Sequence, residues 1–125
     1  ALAHVGDAVY EVYVRARLAG AHYAAGELHR ATVAAVCASA QAADMEKILP
    51  ALDEEELAVY KRGRNANLKR IPRGATAVEY ARATGLEALF GWLYLAGRET
   101  RADELYRLVS EPESAPGAEG RTPEG

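Results

Sequence analysis

The chain has 125 residues, of which 50% are hydrophobic, and a formal net charge of −3, so its length suits one domain with a buried core. No apolar run approaches the roughly 20 residues that a membrane-spanning helix needs, and no signal-peptide pattern opens the chain, so we expect a cytoplasmic protein without a membrane segment. Cys37 is the only cysteine, which excludes an intramolecular disulfide and a cysteine-based metal cluster.

The residue pattern predicts an all-α fold, because alanine, leucine and arginine dominate and no alternating strand pattern is flanked by turn pairs. Six helices are expected, at about residues 2–19, 27–37, 40–49, 53–64, 76–97 and 101–109. Ser39 is the expected cap of the third helix. Asp53 with Glu56, and Thr76 with Glu79, have the spacing of a capping box and mark the start of the fourth and fifth helices.

Charge is distributed unevenly along the chain. Residues 111–125 hold four glutamates against one arginine and are rich in Pro, Gly and Ser, which predicts a disordered tail after a folded domain at 1–110. Within that domain, residues 57–78 contain no acid and six basic side chains, namely Lys61, Arg62, Arg64, Lys69, Arg70 and Arg73. Together with Asn65, they predict a flexible basic loop at 61–73 that contacts the phosphates and 2′-hydroxyls of an RNA duplex. A solvated charged loop is the alternative.

Two carboxylates stand in unusually apolar surroundings. Asp7 lies opposite the expected core stripe of the first helix, and its neighbours there are also apolar. The core stripe consists of Val5, Val9, Val12, Tyr13 and Ala16, and the second stripe of Ala3, Val14 and Leu18. Glu87 is the only charge between residues 85 and 96 of the long fifth helix. An isolated carboxylate buried among apolar groups is costly, so each must be paired, protonated or bound to a metal.

Small residues near both acids predict that their helices cross closely. Gly6 precedes Asp7, and Ala83 and Gly91 lie one turn from Glu87. Such a crossing would turn both carboxylates towards one cavity, and oxygen ligands of this kind suit Mg²⁺ when the substrate supplies phosphate oxygens. The alternative is that each acid caps a helix end or pairs with a buried arginine.

Two long motifs resemble the ribonuclease III family. Residues 2–11, Leu-Ala-His-Val-Gly-Asp-Ala-Val-Tyr-Glu, resemble its signature, and residues 86–95, Leu-Glu-Ala-Leu-Phe-Gly-Trp-Leu-Tyr-Leu, resemble its other metal-binding helix. Three shorter segments are similar to the Mini-ribonuclease III branch, which has no double-stranded-RNA-binding domain. They are Arg-Gly-Arg-Asn-Ala at 62–66, Leu-His-Arg at 28–30 and Ala-Ser-Ala-Gln-Ala at 38–42.

The resemblance implies a helical endoribonuclease domain at 1–110 in which Asp7 and Glu87 are the catalytic residues and the Mg²⁺ ligands. Water would attack the phosphodiester of double-stranded RNA and leave a 5′-phosphate and a 3′-hydroxyl. The implied substrate is the stem formed by the paired ends of the large-subunit (23S) ribosomal RNA precursor, and the implied active form is a homodimer. Larger relatives carry further acids where Ala3 and Thr84 stand, which implies fewer protein ligands here.

Several assignments stay open at this level. Glu11, one turn from Asp7, could orient a water at the metal or form a plain salt bridge. His4 and His29 are expected near the core, and Cys37 as a small buried hydrophobe. Interface material for a dimer is expected among the apolar residues Val14, Leu18, Leu86, Leu89 and Leu93. Two rival functions are a catalytically silent RNA-binding or ribosome-assembly module of the same fold, and a helical protein–protein adaptor.

Overall fold

The computed structural model describes residues 1–66 and 74–111, which contain six α-helices and no strand. The helices are α1 (Leu2–Ala19), α2 (Ala25–Val36), α3 (Ala38–Ile48), α4 (Glu54–Arg64), α5 (Ala77–Leu95) and α6 (Glu99–Ser110), with a 3-10 turn at Leu49–Ala51. The predicted all-α fold is confirmed, and each predicted helix end lies within about two residues of the observed one. No helix in these two ranges is both long and apolar enough to cross a membrane.

Local capping explains where α4 and α5 begin. The Glu56 backbone N–H donates to the Asp53 carboxylate at 2.8 Å, and the Glu79 backbone N–H donates to the Thr76 hydroxyl at 3.0 Å. Both predicted capping boxes are therefore present. The predicted cap at Ser39 is wrong, because α3 begins at Ala38 and residue 37 occupies the N-cap position.

Helix α5 is the centre of the fold, and α1, α3, α4 and α6 all pack against it. Its apolar residues point in nearly every direction, as expected for a helix enclosed by others. The side chains expected to supply a dimer interface are instead part of this core. Val14, Leu86, Leu89 and Leu93 are each 0% exposed, and Leu18 packs half-buried against the same cluster.

The core-facing side of α1 agrees only in part with the predicted one. Val9 and Tyr13 of the predicted core stripe pack partly buried against the core, but Val12 is 65% exposed. The fully buried residues of α1 are Gly6, Tyr10 and Val14, and Tyr10 packs edge-on against Phe90 with ring centroids 5.0 Å apart. The prediction failed in part because α1 carries two apolar stripes and periodicity alone does not say which one faces inward.

The predictions about three single side chains are also wrong. Cys37 is exposed rather than buried, since it stands at the junction between α2 and α3. His4 and His29 are exposed as well. The fourth helix ends at Arg64 as predicted, so residues 61–64 of the basic segment 61–73 form the last turn of α4.

An ion pair with a buried carboxylate links α4 to α6. Arg101 donates from Nε and from a terminal nitrogen to the two carboxylate oxygens of Glu56, at 2.8 and 2.9 Å. The same guanidinium donates to the Ala51 carbonyl at 2.7 Å. Glu56 is only 1% exposed, so its charge is compensated inside the protein rather than by water.

Candidate active site

Helices α1 and α5 cross with their backbones in contact, and glycine is what allows it. A Cβ atom on Gly6 would lie 1.5 Å from the Glu87 carbonyl oxygen, and one on Gly91 would lie 2.1 Å from the Leu2 carbonyl oxygen. Neither position can hold a larger residue unless the helices move apart. The predicted close crossing is present, and it sets Asp7, the neighbour of Gly6, beside Glu87.

The two carboxyl groups interact directly. Glu87 is half-buried, and burial together with the negative charge of Asp7 raises the pKa of Glu87 to about 7. Asp7 itself is exposed, so the expectation that it is enclosed between two apolar stripes is wrong. The pair therefore has one half-buried member and one that faces solvent.

A third polar side chain near this pair was not predicted from the sequence. Gln41 of α3 is 2% exposed, and its side-chain amide lies near enough to Glu87 to oppose the rise in the pKa of that carboxyl. It is the only glutamine in the chain and stands in an alanine-rich helix. An isolated amide in such a helix was the available signal, but nothing in the sequence says that α3 faces α5 at this position.

Neither of the positions at which larger relatives carry further acids supplies an anion here. Thr84 donates its hydroxyl to the Tyr80 carbonyl of its own helix at 2.9 Å, and Ala3 has no polar side-chain atom. Within residues 1–66 and 74–111, no three His, Cys, Asp or Glu side chains are grouped so as to hold a metal ion. The carboxylate donors at the crossing are therefore Asp7 and Glu87.

These donors fit a hard divalent cation. Two adjacent carboxylates cannot both ionise without repulsion, which is why the pKa of Glu87 is raised, and a bound cation would remove that cost. The oxygen donor set and an exposed Asp7 leave room for water and phosphate oxygens, which Mg²⁺ normally keeps among its ligands.

Glu11 lies one turn from Asp7 and is engaged in a local ion pair. Arg15 donates from Nε to the Glu11 carboxylate at 2.6 Å, in the i,i+4 geometry of an exposed helix surface. Of the two roles left open for Glu11, the salt bridge is the one that the structure displays. Exposed pairs of this type contribute at most about 1 kcal/mol to stability.

The basic residues at the end of α4 lie close to the same stretch of α5. A Cβ atom on Gly63 would lie 2.5 Å from the Ala88 Cβ, so the last turn of α4 packs beside the residue that follows Glu87. Lys61 and Arg62 are exposed there.

Arg64 and Asn65 extend this basic turn but are partly committed to each other. The Arg64 guanidinium lies over the Tyr60 ring, 5.6 Å from its centroid, and its Nε donates to the Asn65 side chain at 3.2 Å. The remaining predicted RNA-binding residues, Lys69, Arg70 and Arg73, lie outside the described residues.

Comparison with known proteins agrees with this arrangement. Residues 1–98 match the family model for the ribonuclease III domain, so the chain belongs to the ribonuclease III family of endoribonucleases. It is 45% identical over 111 residues to the Mini-ribonuclease 3 of Symbiobacterium thermophilum, with 88% of this chain and 85% of that protein covered. It is 47% identical over 95 residues to the Mini-ribonuclease 3 of a Synechococcus species, with 76% of this chain and 68% of that protein covered. The predicted resemblance to the Mini-ribonuclease III branch is confirmed.

A solved structure supports the fold independently. The crystal structure of a Fusobacterium nucleatum protein superimposes with a TM-score of 0.79 at 35% sequence identity. The match covers 86% of this chain and 87% of the other. The helical arrangement is therefore shared with a protein of solved structure.

Proposed function

We propose that this protein is a Mg²⁺-dependent endoribonuclease that cuts double-stranded RNA and leaves 5′-phosphate and 3′-hydroxyl ends. The observation that carries the proposal is the carboxyl pair at the crossing of α1 and α5, where burial and Asp7 raise the pKa of Glu87 to about 7. A purely RNA-binding module gains nothing from two acidic side chains that repel each other, nor from burying one of them. A helical adaptor explains neither feature.

Asp7 and Glu87 would hold the metal, and each would do so as a carboxylate. When bound, Mg²⁺ supplies both a nucleophile at neutral pH and stabilisation of charge on the phosphate. Lys61 and Arg62 extend from the turn that packs beside Ala88, where they can hold phosphates of the same duplex. Further phosphate contacts are predicted along the same duplex. They would come from Arg64, Asn65, Lys69, Arg70 and Arg73.

The proposed natural substrate is the stem formed by the paired ends of the 23S ribosomal RNA precursor, cut in the cytoplasm. Curated relatives at 37–47% identity carry the name Mini-ribonuclease 3, which supports a ribonuclease of this family. A precursor transcript with both flanking strands tests this assignment. Cleavage that produces neither mature end of the 23S ribosomal RNA would contradict this assignment. Cleavage of other RNA duplexes would still support the enzymatic proposal.

We propose that the active form is a homodimer, because one site facing one phosphate cannot reach both strands of a duplex at once. The surface offered for it is the solvent side of α1 with the end of α5. Val5, Ala8, Val9, Val12 and Tyr94, with His4, line a groove of about 420 Å³ there. Val12 is 65% and Tyr94 is 51% exposed, which is unusual for neighbouring apolar side chains. A second copy related by a two-fold axis would cover this groove with its own.

The enzymatic proposal is tested by incubating purified protein with long double-stranded RNA, with and without Mg²⁺. Asp7→Asn and Glu87→Gln are expected to lower the cleavage rate by several orders of magnitude while duplex binding stays nearly unchanged, because each removes a metal ligand. Glu46→Gln is the matched control, since Glu46 is an exposed carboxylate paired with Arg82. Near-normal cleavage by Glu87→Gln at saturating Mg²⁺ would refute the assignment.

The dimer is tested separately by sedimentation. Val12→Glu should give a monomer of about half the mass that nicks one strand at a time, because it places a charge in the apolar groove. Leu108→Glu is the matched control, since Leu108 is 44% exposed on α6 and does not line the groove. A fully active Val12→Glu monomer at nanomolar concentration would exclude the dimer at this face.

A further inference from the structure

Gln41 is one of few polar side chains that the fold encloses almost completely. It is 2% exposed, on the side of α3 that packs against α5. A buried side-chain amide is costly unless its donors and acceptor find partners. Helix α3 packs on α5 at this position, and the Gln41 amide lies near enough to the Glu87 carboxyl to favour its ionised form.

Helix α3 also contacts the other half of the crossing, one turn further on. Tyr10 of α1 donates its hydroxyl to the Asp44 carboxylate at 2.7 Å, and Tyr10 is itself 0% exposed. Asp44 follows Gln41 by one turn of α3, and Tyr10 follows Asp7 by one turn of α1. One face of α3 therefore contacts both helices that carry the acidic pair, through Gln41 to α5 and through Asp44 to α1.

We propose that Gln41 is a positioning residue: it holds the Glu87 carboxylate turned towards Asp7. This inference rests on the proposed function, because it assigns Gln41 to the support of the same metal site. An amide suits the role: it donates a hydrogen bond and carries no charge that would repel a cation or add to the acidic pair. Buried partners of this kind fix the direction of a ligand carboxylate.

The wild-type protein provides the first test. Gln41 is the only glutamine, so labelling the glutamine side-chain amide with ¹⁵N gives signals from this residue alone. We expect its amide protons to exchange slowly with solvent, to shift when Mg²⁺ is added, and to shift in Glu87→Met, which adds no second glutamine. Signals that respond neither to Mg²⁺ nor to Glu87→Met would overturn the inference without any Gln41 variant having to fold.

The second test measures metal binding directly, with Mn²⁺ as the probe and electron paramagnetic resonance as the readout. Gln41→Met keeps the length of the side chain and removes its donors. We expect Mn²⁺ affinity to fall about 10–100-fold, as is typical when a residue supporting a ligand is lost, with duplex affinity in the absence of metal unchanged. Cleavage should fall with the metal affinity and recover partly at high Mn²⁺.

Thr32→Val is the matched control. Thr32 is 3% exposed and donates to the Leu28 carbonyl of its own helix, so this change removes a buried side-chain hydrogen bond away from Glu87. Gln41→Met with the Mn²⁺ affinity of Thr32→Val would overturn the positioning role while wild-type cleavage still supports the proposed function. A wild-type protein that neither binds Mn²⁺ nor cuts duplex RNA would overturn both.

Discussion

Glu56 is buried and Glu87 half-buried, and the charges of their nearest partners are opposite in sign. Glu56 is 1% exposed and receives two N–H groups from Arg101, and these hydrogen bonds keep its pKa below the ordinary range. Glu87 is half-buried beside Asp7, and its pKa is raised to about 7. No ion pair reaches Glu87 from the part of the chain that the structure describes. Burial is therefore common to both, and the partner decides what each glutamate does.

This difference distinguishes the structural ion pair of Glu56 from the candidate binding site at Glu87. The charge of Glu56 is already neutralised, so a ligand could add nothing there. The charge of Glu87 is opposed by its nearest neighbour, so the folded protein holds a cost that only a proton or a cation relieves. Active sites commonly accept such a loss of stability in exchange for function.

The largest expected effect comes from separating the two helices of the acidic pair. Gly6→Ala would place a Cβ 1.5 Å from the Glu87 carbonyl oxygen, so α1 must move. We expect a loss of about 3 kcal/mol or more in the free energy of unfolding, at the upper end for overpacking, together with loss of cleavage. Urea denaturation and a cleavage assay measure the two effects.

Gly26→Ala is the control for that substitution. Its Cβ would meet only the end of the Arg30 side chain, at 3.6 Å, within α2. It should raise the free energy of unfolding by up to about 1 kcal/mol, because alanine restricts the unfolded chain more than glycine does. If Gly6→Ala were equally harmless, the backbone contact described here would be wrong.

The next effect distinguishes the two glutamates by stability alone. Arg101→Met leaves Glu56 buried without its cation and should lower the free energy of unfolding by about 3 kcal/mol. Glu87→Gln, measured without metal, should leave stability unchanged or raised near neutral pH, because it removes the repulsion with Asp7. Equal losses in both variants would mean that Glu87 is a structural residue like Glu56.

A smaller effect concerns pH. The pKa of Glu87 is about 7 in the folded protein against an ordinary value of 4.5, so the folded state binds its proton more tightly than the unfolded state does. Its contribution to stability is complete below about pH 4.5 and is lost as the pH rises through about 7.

Thermal unfolding across that range, in chelator and then in Mg²⁺, measures this contribution. The metal-free wild type should lose stability over this window relative to Glu87→Gln. The stabilisation by Mg²⁺ should grow with pH, because the ion and the proton compete for the same carboxylate. Stabilisation by Mg²⁺ that is equal at both ends of the window would place the ion elsewhere.

The smallest effect is expected at the basic turn. Arg62→Ala should weaken binding to all duplexes alike and lower the slope of log affinity against log salt by about one unit, as for the loss of one phosphate contact. Arg62 is better suited to this test than Arg64, whose guanidinium packs over Tyr60. Arg107→Ala, at an exposed position of α6, should leave the slope unchanged. A slope unaffected by Arg62→Ala would show that this turn does not touch RNA.

Sequence reasoning succeeded where a local rule or a single contact was decisive. The capping boxes at Asp53 and Thr76 follow from side chains three residues apart, and the crossing follows from Gly6 and Gly91 standing beside the two acids. It failed where the answer depended on which side of a helix meets a partner. Val12 and Val14 are equally apolar, yet one is exposed and the other buried, and the role of Gln41 depends on an approach between α3 and α5 that no local pattern encodes.

The crossing of α1 and α5 also fixes when the protein can become active during its synthesis. Asp7 and Glu87 are 80 residues apart in the chain. Contacts of such separation form late, and a chain made from its N-terminus exposes α1 long before α5 exists. A nascent chain therefore carries Asp7 without its partner, and the acidic pair is assembled only when most of the domain has left the ribosome. Since ribosomes are rich in duplex RNA, this order keeps the proposed nuclease inert while it is still tethered to a possible substrate.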